Sequence, residues 1–182
     1  MRALVVYESM YGNTHAVATD IAAGLRATHE VTLVPVTRAS KEMVMTSDLI
    51  VAGGPTHMHG MSTVASRRSA VETARRQDSG LTVDPDAGGP GLRGWLEQLR
   101  LAGVPVASFD TRLSGLPALT GRASRGIARV LIRKGGRLLL PPESFLVSKQ
   151  NTLLSGEAAR ATSWAALLGE TASLAFAAGK RS

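Results

Sequence analysis

The feature that most constrains this chain is its opening stretch. Ala3-Leu4-Val5-Val6-Tyr7-Glu8 is a short apolar, β-branched run with no polar residue before its last, and Gly12-Asn13 breaks it soon after. A run of that kind reads as a strand covered on both faces, the condition of a parallel sheet with helices above and below. Beyond the break Val17, Ile21 and Leu25 recur every four residues, which predicts a helix over 14–27 with one apolar face turned to the sheet. Strand, loop and helix in that order form the repeating unit of doubly wound α/β folds.

The unit repeats along the chain. Residues 31–36 read as a second strand, 39–45 as a short helix, and Leu49-Ile50-Val51-Ala52 as a third strand ending at Gly53-Gly54-Pro55. The pattern fails over 62–91, where Ser, Arg, Asp and Gly dominate and the segment 84–91 strings turn signals together. That stretch is predicted to be a mobile insertion, with a helical turn or two within 64–77, because structureless stretches of such length are uncommon. Leu92, Leu96, Leu99 and Leu101 then mark a helix and 104–109 a fourth strand. Ile127, Val130, Leu131 and Lys134 mark another helix, stopped by Gly135-Gly136. A fifth strand follows at 137–140 and 145–147, split by Pro141-Pro142, and a last helix runs over 156–177 behind Ser155 and Glu157. With 182 residues, 44% of them hydrophobic, one domain with an ordinary core is expected.

Cysteine is absent, which removes disulfides, thiolate nucleophiles, cysteine-held zinc and iron–sulfur clusters. Redox chemistry would therefore need a bound cofactor. No apolar run approaches the roughly 20 residues of a spanning helix, and the N-terminus is too short and strand-like for a secretion signal. A cytoplasmic protein is expected. No histidine and carboxylate spacing reads as a metal site, and Met43, Met45, Met58 and Met61 read as gap-filling apolar residues.

The formal charge is +7, and the segment 111–137 carries all of it, with seven basic residues and no acid. Arg125, Arg129 and Arg133 stand at every fourth position, with Arg122, Lys134 and Arg137 nearby, so they align as one basic stripe on a helix. The stripe is either an ordinary solvated face or a surface that steers an acidic partner or the phosphates of a nicotinamide nucleotide. No aromatic platform accompanies it, so nucleic acid is not expected.

In doubly wound sheets ligands bind at the carboxyl ends of the strands, where the strand order reverses. Three loops matter, after the first, third and fourth strands. The first, Ser9-Met10-Tyr11-Gly12-Asn13-Thr14, offers hydroxyls at Ser9 and Thr14, a permissive backbone at Gly12 and free amides at a helix N-terminus. Those are the parts of a phosphate cradle. It holds no lysine or arginine, so it suits a terminal monophosphate bound by hydrogen bonds and helix dipole. The plain alternative is a tight turn with Thr14 capping the helix.

The run from Val5 to Thr14 resembles the signature of the flavodoxin family and of the related flavodoxin-like quinone and protoporphyrinogen oxidoreductases. Gly54-Pro55-Thr56-His57-Met58-His59-Gly60-Met61 resembles the second flavin loop of those oxidoreductases, and Phe109-Asp110-Thr111-Arg112 falls where the third should be. The resemblance implies a flavodoxin-like doubly wound sandwich, with a five-stranded parallel sheet in the order 2-1-3-4-5 and helices on both faces. It implies flavin mononucleotide (FMN) as cofactor. Ser9, Met10, Tyr11, Gly12, Asn13 and Thr14 would surround the phosphate, and Pro55 and Thr56 the ribityl chain. His57, Met58 and Phe109 would lie beside the ring, and Asp110 and Thr111 would bind the cofactor from the third loop. Many flavodoxins sandwich the ring between a tryptophan and a tyrosine, and here neither Trp95 nor Trp164 is placed for stacking.

His57 and His59 also fit ordinary loop residues, Phe109 fits a core position, and Asp110 fits a cap on the next turn. The leading expectation is an FMN-dependent oxidoreductase, served by NAD(P)H or a quinone-like small molecule. An electron carrier for an acidic redox protein docking on Arg122, Arg125, Arg129 and Arg133, and a flavin-free binding module, are the rivals. Positive side chains near a bound flavin, Arg122 and Arg125 among them, should raise its potential.

Overall fold

Along β1 (Arg2–Tyr7) the side chains alternate between two cores. Leu4 and Val6 join Ile50, Ala52, Val106 and Leu131 on one side, and Ala3, Val5 and Tyr7 join Val17, Ile21, Leu25, Phe145 and Leu168 on the other. The structure is a computed structural model that describes residues 1–57, 59–76 and 78–179, with only the backbone of 117 and 118. The chain continues through α1 (Asn13–Leu25), β2 (Glu30–Pro35), α2 (Lys41–Met45) and β3 (Leu49–His57). The two-residue β4 (Gly60–Met61), α3 (Val64–Ala74), α4 (Leu92–Glu97), β5 (Pro105–Leu113), α5 (Pro117–Thr120) and α6 (Ala123–Arg133) come next. The last elements are β6 (Arg137–Leu138), β7 (Glu143–Val147) and α7 (Glu157–Gly179).

The sheet runs β2-β1-β3-β5, all parallel, and the fifth place is shared by β6 and β7, both parallel to β5. This is the expected doubly wound class and order. The break at 139–142 contains Pro141 and Pro142, which cannot donate to a ladder. One strand was not foreseen: β4 folds back antiparallel on the end of β3, pairing Thr56 with Met61. Helices α1 and α7 cover one face, and α2, α4 and α6 contribute to the core of the other. Helix α1 lies so close on α7 that a Cβ at Gly24 would sit 2.3 Å from the Thr162 carbonyl oxygen.

Two expectations need correction. β3 and β5 each run nine residues and extend past their apolar cores. β5 continues to Leu113 because β7 keeps pairing with it, from Phe109↔Glu143 to Leu113↔Val147. Within 62–91, α3 has eleven residues rather than a turn or two. It begins in a capping box, Ser66 N donating to Thr63 Oγ1 at 3.1 Å and Thr63 N to Ser66 Oγ at 2.8 Å, an arrangement that nucleates helix without apolar periodicity. Of the methionines, Met43 and Met61 pack on the core, Met45 is exposed, and Met58 lies outside the described residues. No described helix is long and apolar enough to cross a membrane.

Candidate functional site

The carboxyl ends of β1, β3, β5 and β7 meet at one edge of the sheet, and a cleft of about 270 Å³ opens there. Its floor is the loop from β1 into α1. Gly12 adopts φ 90°, ψ −26°, and no side chain caps the helix behind it. A Cβ built at Gly12 would meet nothing within 4 Å, and Asn13 and Thr14 of the uncapped first turn line the cleft, whereas Ser9 and Gly12 stand behind its lining. Uncapped first-turn N–H groups and the positive end of the helix dipole favour an anion at that point. Ser9 is buried, and its Oγ accepts from Gly12 N at 3.1 Å, which leaves the hydroxyl hydrogen free. Thr14 and Thr111, both buried, share one hydrogen bond between their Oγ1 atoms at 2.7 Å. Two hydroxyls joined by one bond retain one hydrogen to donate to a ligand.

Other members of the loop are committed elsewhere. The Tyr11 hydroxyl donates to the Ala70 carbonyl of α3 at 2.9 Å, so its ring, not its oxygen, faces the cleft. Asn13 Nδ2 donates to the carbonyl and to Oδ1 of Asn151, both at 2.9 Å, leaving its backbone amide for a ligand. Met10 is buried against Ala70 and Ala87, and its carbonyl accepts from Asp84 N at 2.8 Å. Behind the loop Tyr7 stacks on His15, ring centroids 4.6 Å apart, and His15 Nδ1 lies 3.6 Å from Asp84 Oδ2. Burial first, then Asp86 and Asp84, pushes the Tyr7 phenol up to about 12.

The walls come from the ends of β3 and β5. Pro55, Thr56 and His57 line one side, with Thr56 Oγ1 accepting from Ala123 N at 2.9 Å at the start of α6. His57 Nε2 is buried without a hydrogen-bond partner. Burial lowers its pKa below the usual 6.5, against a smaller opposing pull from Glu8. Thr111, Arg112 and Leu113 form the other side.

Two of the cofactor-binding residues anticipated in the third loop are not in the cleft. Phe109 is fully buried, its ring over Gly53 and edge-on to Phe145 at 6.3 Å. Asp110 is fully buried on the opposite side of β5, where Oδ2 accepts from Ser124 N at 2.6 Å and so caps α6. Burial raises its carboxyl above the usual 3.8, and Oδ1 has no partner. Met58 lies outside the described residues. The sequence placed Arg112 in the third loop without a role of its own and did not single out the turn after β7, where Ser148, Lys149 and Asn151 line the cleft. The polar run Ser148-Lys149-Gln150-Asn151 directly after a strand, at the carboxyl end of the sheet, was the available signal.

The basic stripe is partly neutralised in space. Arg133 Nη2 lies 2.9 Å from Glu97 Oε1 and Lys134 Nζ 3.2 Å from Glu97 Oε2, both on α4. Arg122 is structural, its Nε donating to Ser144 Oγ at 3.1 Å and its Nη2 to the Pro142 carbonyl at 2.8 Å. Arg125 and Arg129 remain exposed on α6.

Comparison with known proteins agrees with this architecture. A flavodoxin from the domain Archaea superposes with a TM-score of 0.64 at 18% identity, covering 95% of this chain and 99% of that one. Oxidised flavodoxin 2 from Bacillus cereus gives 0.63 at 20%, covering 93% and 99%. Rubredoxin oxygen:oxidoreductase from Desulfovibrio gigas gives 0.62 at 15%, with 95% of this chain matching 36% of that larger one. At these identities the structures speak for the fold, and no curated protein matches. The sequence model of the flavodoxin family, however, matches residues 5–113, from β1 through the last residue of β5. The chain therefore belongs to the flavodoxin family, whose members work by electron transfer through a bound flavin.

Proposed function

We propose that the flavin is FMN and that the protein exchanges electrons between it and an acidic redox protein. The observation that carries the first part is the uncapped N-terminus of α1 behind Gly12, open to the cleft and without lysine or arginine in its loop. The fit is that of a single terminal phosphate. First-turn amides, Ser9 Oγ and the Thr14–Thr111 hydroxyl pair would hold it, each charge-assisted bond contributing about 1.5–3 kcal/mol. Pro55, Thr56 and His57 would flank the ribityl chain and the ring on one side, Thr111 and Arg112 on the other. When bound, the isoalloxazine supplies the capacity to take up and release electrons. The protein orients the ring and limits water around it.

The partner reading is supported by position. Helix α6 begins at the Ala123 amide held by Thr56, so exposed Arg125 follows immediately beyond the cleft wall and Arg129 one turn on. Calorimetric titration of the apoprotein with FMN, FAD and riboflavin tests the cofactor. FMN is expected to bind at least tenfold tighter than riboflavin, and equal affinities would remove the phosphate site. Direct bleaching of the bound FMN by NADH or NADPH at catalytic rates would instead favour an oxidoreductase acting on small molecules.

A further inference from the structure

Arg112 is the buried charged group in the cleft lining that the phosphate site leaves unexplained. Only 9% of it is exposed, yet it lines the cleft. Its hydrogen bonds all leave from Nη1, to the carbonyls of Leu113 at 3.1 Å and Gly115 at 3.0 Å and to Thr120 Oγ1 at 2.8 Å. Every one of those acceptors is neutral. Nε is buried with no partner, and among the described residues no carboxylate lies within ion-pair distance. A guanidinium keeps its proton, and an unpaired buried charge is costly. The fold thus fixes a positive charge in the cleft wall with no protein anion to answer it.

Its location selects between the two ends of the ligand. None of its partners belongs to the loop 9–14 or to the turn that contacts Asn13. They belong to the end of β5, to the loop after it and to α5, and Thr120 adjoins Gly121, which bridges His59 in the β3–β4 hairpin. Alternation along β5 turns Arg112 to the face opposite Thr111, away from the Thr14–Thr111 pair and toward the hairpin that follows Thr56 and His57. We propose that Arg112 is the counter-charge for the ring of the bound flavin and makes the site favour the fully reduced, negatively charged ring over the oxidised, neutral one. This rests on the FMN reading above. The contribution expected of Arg122 and Arg125 falls to Arg112, because Arg122 is tied to β7 and Arg125 is exposed to screening solvent.

The experiment is a spectroelectrochemical titration of the FMN-loaded protein, read as the ratio of affinities for reduced and oxidised flavin. The wild type is expected to bind reduced FMN at least as tightly as oxidised FMN, a measurement that needs no variant. R112Q is expected to shift that ratio tenfold or more toward the oxidised form, about 30 mV of two-electron potential for each factor of ten. R112K should restore most of it, and R137Q, removing a charge at the opposite end of the sheet, should leave it unchanged. Equal losses in R112Q and R112K would reduce the residue to a tether for the 113–120 loop. A wild type that binds reduced FMN tenfold more weakly than oxidised overturns the inference alone. One that takes up no FMN overturns the function with it.

Discussion

Thr14 and Thr111 come from elements 97 positions apart and meet through two buried hydroxyls, so the proposed phosphate site depends on β5 as much as on its own loop. Thr14→Val keeps the volume and removes the hydroxyl. It is expected to weaken FMN by about 1–3 kcal/mol while leaving riboflavin, which has no phosphate, unchanged; fluorescence titration with both ligands checks this, and equal losses would mean a general packing defect. The loop 9–14 was legible in the sequence because its chemistry is local: a glycine, two hydroxyls and a helix start within six residues. The third loop was not. Reading β5 as ending at Phe109 put 109–111 at the mouth, whereas pairing with β7 carries the strand to Leu113 and moves the mouth to 111–113. Strand alternation then turns Phe109 into one core and Asp110 toward α6. His57 is a second residue whose environment the sequence could not show. Its pKa is lowered in the fold, so below about pH 6.5 the unfolded chain binds the proton more readily, and stability is lost as pH falls through that range. His29, lowered by burial as well, adds to the same trend. Urea unfolding at pH 7 and pH 5 should show a smaller acid loss in H57Q than in the wild type, the difference not exceeding about 1.4 kcal/mol per pH unit for one proton.

At the scale of elements, the apolar helices and strands were readable and the polar one was not. α6 announced itself through Ile127, Val130 and Leu131 on one side and arginines on the other, a pattern set by burial on the sheet. α3 has a single buried residue, Ala70, so hydrophobic periodicity could not reveal it; its cap and its attachment to the first loop define it instead. That attachment gives the 62–91 segment a role. Tyr11 OH to Ala70 O, Asp84 N to Met10 O and the Met10–Ala70–Ala87 cluster brace the loop 9–14 from outside. Replacing 64–79 by a short Gly/Ser linker should therefore expose Met10, speed proteolysis near residue 11 and weaken FMN by about 1–3 kcal/mol, since a loosened loop must be ordered on binding. Unaltered FMN affinity in that variant would leave the segment with no part in the site.

At the scale of the whole molecule, charge and fold have to be read together. The sequence places seven basic residues and no acid in 111–137, and the fold distributes them by task. Arg112 enters the cleft, Arg122 binds β7, Arg133 and Lys134 face Glu97, and Arg137 lies at the start of β6, paired with the beginning of β5 at the end of the sheet away from the site. Of these seven, Arg125 and Arg129 on α6 stay exposed, and outside that segment Lys149 is exposed in the cleft lining itself. Exposed charges contribute little static affinity once screened over roughly 8 Å at physiological salt, but charge of one sign beside a redox site raises encounter rates with partners of the other. The consequence is kinetic. Bimolecular electron transfer between the FMN-loaded protein and an acidic ferredoxin should slow as ionic strength rises, and transfer to a basic cytochrome should quicken. In R125E/R129E the acidic partner's rate at low salt is expected to fall on the order of tenfold with the flavin potential unchanged, and the salt dependence should flatten or invert. Stopped-flow measurements across a salt series decide it: identical salt slopes for the wild type and the double variant would show that electrons leave or enter by another face.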